Sequence, residues 1–196
     1  MDGIPARAMD LFKAKKIGRW VHSGRSLLDH VLSVYRLLVS WGNPRHICLA
    51  GLFHSAYGTQ DYVGAMFRLD SRADRERLRT IIGAKAEALA FLFCIKGQKG
   101  FLAGLAAGRV IHRLDHSIHE VDAKTGRALA EIYVANLVDQ FGKPRSNFIS
   151  RERDLARLIK TTADCRPYIS VAAQTYCEAF RRDHFADIDL AATEMD

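Results

Sequence analysis

The sequence predicts an all-α fold carrying one small β-hairpin. Apolar residues recur at helical spacing through most of the chain, and glycine and proline punctuation falls between those stretches. A strand-like pattern is confined to residues 109–121. With 196 residues, 48% of them hydrophobic, the chain can bury a sizeable core, which excludes disordered and fibrous classes.

The elements follow in order. Residues 5–16 form a short amphipathic helix, started by Pro5 at a favourable first-turn position. Ser26 caps a helix over 26–41 with apolar residues at 27, 28, 31, 34, 35, 38 and 39, and Gly42-Asn43-Pro44 breaks it. A third helix, 44–56, contains ICLAGLF, is apolar on all sides, and so belongs at the centre, with Gly58 ending it. Residues 59–70 read as an irregular loop. Two helices, 71–82 and 84–96, meet at Gly83, the first charged and the second apolar. Glycines at 97, 100, 104 and 108 mark loosely structured chain before RVIHRLDHSIHEV, 109–121, a hairpin turning at Asp115-His116-Ser117. Asp122 caps a long helix, 123–141, that Gly142-Lys143-Pro144 stops, and helices over 150–163 and 166–185 complete the chain. This divides the chain into an N-terminal helix (1–18), a core domain (19–141) and a C-terminal helical extension (142–196).

Lysine and arginine number 29 against 22 acidic residues, a net charge of +7. The excess favours acidic partners in general and proves none; the partner expected from the sequence as a whole is a small, anionic molecule. The arginines are scattered, so nucleic acid is not expected. Cys48, Cys94, Cys165 and Cys177 show no CxxC spacing, and three of them sit in apolar runs, as thiols do in a reducing compartment. The N-terminus has no apolar signal segment, and no stretch approaches the roughly 18 apolar residues of a membrane span. The expectation is a cytoplasmic protein with no membrane partner.

Chemistry centres on two histidines. His30 sits among the core positions of its helix, and His54 shares a face with Ile47, Ala50 and Tyr57. On antiparallel neighbours they can meet over one metal ion, or each can be a core histidine satisfied by backbone or solvent. Both readings stay open on spacing alone.

The strings HSGRSLLDH (22–30), WGNPRHICLAGLFHS (41–55) and VANLVDQ (134–140) resemble the HD superfamily of all-helical metallohydrolases. Within it they are most similar to the hydrolase domain of the stringent-response alarmone enzymes, and also to an uncharacterised HD-like family. The resemblance covers residues 19–141. It implies that His30 and His54 are metal ligands and that the last ligand falls in 134–140. Ser55 stands in the place of the HD aspartate, and Asn136 in the place of the final one, with Asp139 a helical turn on. Ala56-Tyr57-Gly58-Thr59 replaces the acidic pair of the alarmone hydrolases.

Two imidazoles, a hydroxyl and an amide hold no anionic ligand, so such a site binds hard cations poorly and activates water weakly. Either no metal binds, or His22 or Asp139 completes the set, with Asp29 and the cluster His112, Asp115, His116 and His119 as further candidates. Zinc, iron or nickel suits imidazole better than magnesium. The cluster would form a ligand set on a helix but would straddle the turn of a hairpin; its histidines also resemble those added in HD-fold di-iron oxygenases. Arg25 either contacts a base or phosphate at the pocket mouth or is a solvated helix-start residue. Tyr57 and Thr59 either line the pocket or belong to a tight turn at Gly58. Three functions follow: a hydrolase of a small phosphorylated or nucleotide-like molecule with Arg25, Ser55, Tyr57 and Thr59 in its catalytic pocket; a degenerate HD domain that binds a ligand or partner without chemistry; or an HD-fold iron oxygenase.

Overall fold

Ser26 starts the helix on which the centre of the fold is built. Its Oγ accepts the Asp29 N–H at 3.1 Å and donates to the Asp29 carboxylate at 2.6 Å, so α2 (Leu27–Ser40) begins with a satisfied first turn. Leu27, His30, Val31, Val34, Tyr35 and Leu38 bury one stripe of it. Gly42, at φ 74°, closes the helix, and Pro44 directs the chain into α3 (Arg45–Leu52). α3 is buried continuously from Ile47 to Leu52. The two helices approach closely at Gly51, where a Cβ would lie 2.2 Å from Leu38 Cδ1. In the computed structural model, which describes residues 3–22, 24–141 and 151–188 but not the His22 side chain, α5 (Ala84–Ile95) and α7 (Ala123–Phe141) complete the central bundle. α3 packs on α2, α5 and α7, and α7 also packs on α2.

The remaining elements surround that bundle. α1 (Ala6–Lys15) leads through a 3-10 turn, Ile17–Arg19, into a two-residue antiparallel pair, β1 (Val21–His22) and β2 (Arg25–Ser26). α4 (Arg72–Ile82) covers α5, and α6 (Phe101–Ala106) supports a second hairpin, β3 (Arg109–Ile111) and β4 (Ile118–Glu120). That hairpin lies where the sequence predicts one, in register Arg109↔Glu120 and Ile111↔Ile118. α8 (Arg151–Cys165) and α9 (Val171–Phe185) pack on α7 and on each other.

Several boundaries differ from expectation. The helix predicted over 44–56 stops at Leu52: Phe53, at φ −115°, shares its N–H between the Leu49 and Ala50 carbonyls, and its ring packs on Phe12 at 5.0 Å. His54 therefore sits on a turn. The glycine-rich stretch 97–108 contains α6, and Gly104 lies within it because a Cβ there would meet the Arg109 carbonyl at 2.8 Å. The 21–26 hairpin was hidden by its brevity. α9 begins at Val171, capped by Ser170, five residues later than its periodicity suggests. The predicted stop at Gly142-Lys143-Pro144 lies outside the described residues. All four cysteines are free and buried, and burial raises Cys48 to about 11 and Cys94, Cys165 and Cys177 to about 12, so these thiols are unreactive. Among the described residues no helix is long and apolar enough to cross a membrane.

One buried carboxylate ties α4 to α5. Glu87 is fully buried and accepts from Arg75 Nε at 2.7 Å, Arg79 Nε at 2.9 Å and the Tyr57 hydroxyl at 3.0 Å. Burial alone would raise its carboxyl, but the arginine bonds outweigh burial and hold it below its ordinary value. Replacing Glu87 by Leu should lower unfolding stability in urea by about 2–3 kcal/mol. That is less than the ~3–5 kcal/mol of a fully buried pair, because both arginines are partly exposed and can regain water. A loss within the error of the measurement would contradict this role.

Candidate functional site

Three elements deliver one polar chain to the centre of the bundle. Asp139, on α7, pairs with Arg25 of β2 and bonds His30 Nδ1 of α2 at 2.6 Å. His30 Nε2 lies 3.0 Å from His54 Nε2, and His54 Nδ1 lies 2.7 Å from the Gly51 carbonyl. His30 and His54 are 0% and 2% exposed, so these bonds form in a low-dielectric interior.

The tautomers follow from the partners. A carbonyl oxygen can only accept, so His54 Nδ1 carries a proton. Arg25 Nη2 is 3.2 Å from His30 Nδ1, and it too can only donate, which would require a bare Nδ1. The shorter 2.6 Å contact with Asp139, a carboxylate ionised by its pairing with Arg25, decides for Nδ1–H. In their neutral forms both imidazoles then present a bare Nε2 to each other. At 3.0 Å the two nitrogens can share a proton or another cation. Both Nδ1 atoms are held as they are in metal-binding histidines, whose second nitrogen donates to a carboxylate or carbonyl.

A cavity of about 40 Å³ opens beside His54, lined also by Ser55, Asn136, Lys96, Tyr133 and Arg157. It has room for water, and its wall is polar. Ser55 Oγ is buried and has no hydrogen-bond partner among the described residues. Asn136 Oδ1 accepts from Gln140 Nε2 at 3.1 Å.

The structure sorts the other residues singled out in the sequence. Arg25 turns inward to Asp139 and His30, and burial pulls its guanidinium below its ordinary value while Asp29 acts the other way. Thr59 lines the cavity while its Oγ1 accepts the Tyr62 N–H at 3.2 Å, so lining residue and turn residue are one. Tyr57 points away: its hydroxyl donates to Glu87, and burial and that carboxylate push its pKa up. Asp29 caps α2. Asp139 reaches His30 from the side opposite His54, so it positions the ring rather than meeting its Nε2. The 112–119 cluster straddles a hairpin turn, where His112 Nδ1 accepts backbone N–H groups of Leu114 and Asp115. Among the described residues no group of three or more His, Cys, Asp or Glu side chains is placed to share an ion.

Sequence reasoning missed Lys96. It ends α5 yet is only 8% exposed, and its ammonium lies 4.6, 4.6 and 4.7 Å from the ring centroids of Phe93, Phe101 and Tyr133. A lysine closing an apolar helix is ordinary in a sequence, and only folding brings three rings around it. Arg157, on α8, was equally invisible.

Residues 11–97 match a family described as a domain of unknown function (DUF6817). No curated protein matches the chain. Among solved structures it is similar to a metazoan ortholog of SpoT that hydrolyzes ppGpp and plays a role in starvation responses. The TM-score is 0.57 at 13% identity, and the match covers 92% of this chain and 96% of that one. The chain has an HD-like helical fold.

The resemblance of the sequence to HD metallohydrolases implies a divalent metal. The two Nε2 atoms lie 3.0 Å apart, close to the edge expected between imidazoles bound at about 2.0–2.1 Å to one ion. The cavity beside His54 is lined by the neutral oxygens of Ser55 and Asn136 and by one carboxylate, Asp61, which takes a hydrogen bond from Gln98. Among the described residues the pair thus offers an ion two imidazoles and no third His, Cys, Asp or Glu placed to share it.

Burial lowers Lys96 from 10.5 to about 8, against the pull of Asp61 and Cys94. Between those values the unfolded chain holds a proton that the folded chain has lost, so stability should rise with pH. From pH 8 to 10.5 the wild type should gain about 2–3 kcal/mol relative to Lys96→Met, as read from urea unfolding at both ends. Parallel pH profiles for the two proteins would contradict this placement of the amine.

Proposed function

We propose that the cavity beside His54 receives a phosphate group of a small phosphorylated, nucleotide-like molecule and that the protein hydrolyses it. The observation that carries the proposal is the His30–His54 pair, with both Nδ1 atoms anchored and both Nε2 atoms turned together, at the edge of a cavity that also holds Lys96 and Arg157. The similarity to a ppGpp hydrolase supports the same substrate class. In this reading residues 19–141 carry the histidine pair and Lys96, the C-terminal extension (142–196) contributes Arg157 from α8, and 1–18 is an N-terminal helical addition.

The side chains divide the work. Lys96 and Arg157 neutralise a phosphate, a role strengthened by exclusion of water. Ser55 Oγ and Asn136 offer hydrogen bonds to the bound group. With no ion between the rings, His54 Nε2 takes the proton of a water attacking phosphorus, and His30 shares it, held in place by Asp139 and Arg25. The proton passes to the leaving oxygen as its bond to phosphorus breaks. A borderline divalent ion, when bound, would be held by His30 and His54 and would acidify the water; His22, whose side chain lies outside the described residues, is the candidate further ligand. A second reading, binding without catalysis, is favoured by one observation: Asp139 lies behind His30, leaving neutral oxygens at Ser55 and Asn136.

Incubation with ppGpp, with and without zinc or ferrous iron, tests the proposal. Hydrolysis should be observed and should fall at least ~100-fold in His54→Ala, as for loss of a general base. Tight binding without turnover supports the second reading, and neither binding nor turnover of ppGpp or other nucleotides overturns both. Equilibrium dialysis against zinc should show weak binding, lost in His54→Ala and tightened at least ~10-fold in Ser55→Asp/Asn136→Asp, which restores anionic ligands. Zinc binding indifferent to His54→Ala would remove the ion from this site.

A further inference from the structure

Beyond Lys96 lies a second cavity, a groove of about 440 Å³ between the 96–101 segment and β3 with its following turn. Lys96 and Gln60 line both this groove and the cavity beside His54, so the amine stands at their junction. Lys99, Arg109 and Arg113 line the groove as well, and no carboxylate does.

We propose that this groove is a second anion-binding subsite, shaped for a phosphate or pyrophosphate group. Lys96 makes it a built site and not merely a basic patch. It is 8% exposed, and no carboxylate oxygen lies within ion-pairing distance of it among the described residues. Three ring faces fix its ammonium in one position, so little ordering is left to an arriving anion. A cation desolvated in this way binds an anion more strongly than one in open water. Arg113 is oriented by donation from Nε to the Cys94 carbonyl at 3.0 Å, which leaves its other N–H groups for a ligand. Lys99 and Arg109 stand exposed at the rim, where they add charge. The nearest carboxylates are otherwise engaged: Asp61 takes a hydrogen bond from Gln98 on the His54 side of Lys96, and Asp115 turns to Ser117 and His112. The ligand class is a molecule bearing two separate phosphate groups, one held beside His54 and the other in the groove. Only that last step, one ligand for both subsites, rests on the proposed function; anion binding in the groove does not.

The probe is inorganic pyrophosphate, measured by calorimetry and by NMR shifts of backbone amides. The wild type should bind it and shift residues 96–113. Lys99→Ala/Arg109→Ala, on exposed positions that leave the fold intact, and Lys96→Met should each weaken binding at least ~10-fold, the loss expected for charge-assisted bonds. His54→Ala should leave the groove affinity unchanged. Failure of the wild type to bind, wild-type affinity in the double variant, or loss of binding in His54→Ala alone would overturn the subsite. For the shared ligand, ppGpp affinity should fall in the double variant while adenosine monophosphate affinity holds; equal ppGpp affinity in both proteins would overturn that step. If ppGpp fails to bind the wild type at all, the proposed function falls while pyrophosphate binding still decides the groove.

Discussion

Asp139 is a carboxylate inside a helical bundle, where an unpaired charge would cost several kcal/mol. Its neutralisation by Arg25 and the His30 Nδ1–H ties the strand before α2 to the end of α7. The same bonds settle the tautomer and the ring orientation of His30, and so the direction of its Nε2. His54 is held from the other end by the Gly51 carbonyl, at the position where α2 and α3 approach too closely for a side chain. The geometry of the histidine pair is thus a consequence of how α2, α3 and α7 pack, and a shift of any one would separate the rings.

The molecule contains a useful contrast. Glu87 is as buried as Asp139, but its oxygens are occupied by two arginines and a tyrosine, and nothing about it points into a cavity. It holds α4 and α5 together. At the histidine pair the outer nitrogens are held by Asp139 and the Gly51 carbonyl, and the inner ones face each other across 3.0 Å. Ser55 Oγ, buried beside His54, has no hydrogen-bond partner among the described residues. Buried polar atoms are ordinarily satisfied, so a hydroxyl without a described partner at a cavity wall marks where a ligand belongs.

A shared fold does not carry a shared reaction, and the charge of the site shows why the distinction matters here. The cavity wall brings Lys96 and Arg157 together with neutral oxygens of Ser55 and Asn136, and only Asp61, toward Gln98, is acidic. A wall of that sign attracts an anion by its own side chains. In the proposed function the lysine and arginine therefore supply charge compensation, and the histidines handle the proton.

The helical class, the central placement of α2 and α3, the hairpin at 109–121 and the inward direction of His30 and His54 were all legible in the sequence. Each follows from local periodicity, caps and glycine positions, which are properties of neighbouring residues. The turn at Phe53, the helix within 97–108 and the short strands before α2 were not, because packing against distant residues outweighs weak local preference there. The same limit holds at the site. Spacing placed Asp139 and Asn136 one helical turn apart but could not say that Asp139 would meet His30 from behind. No pattern within the chain announced that Phe93, Phe101 and Tyr133 would close around Lys96. Those facts depend on side chains brought together from separate helices, and only the tertiary structure decides them.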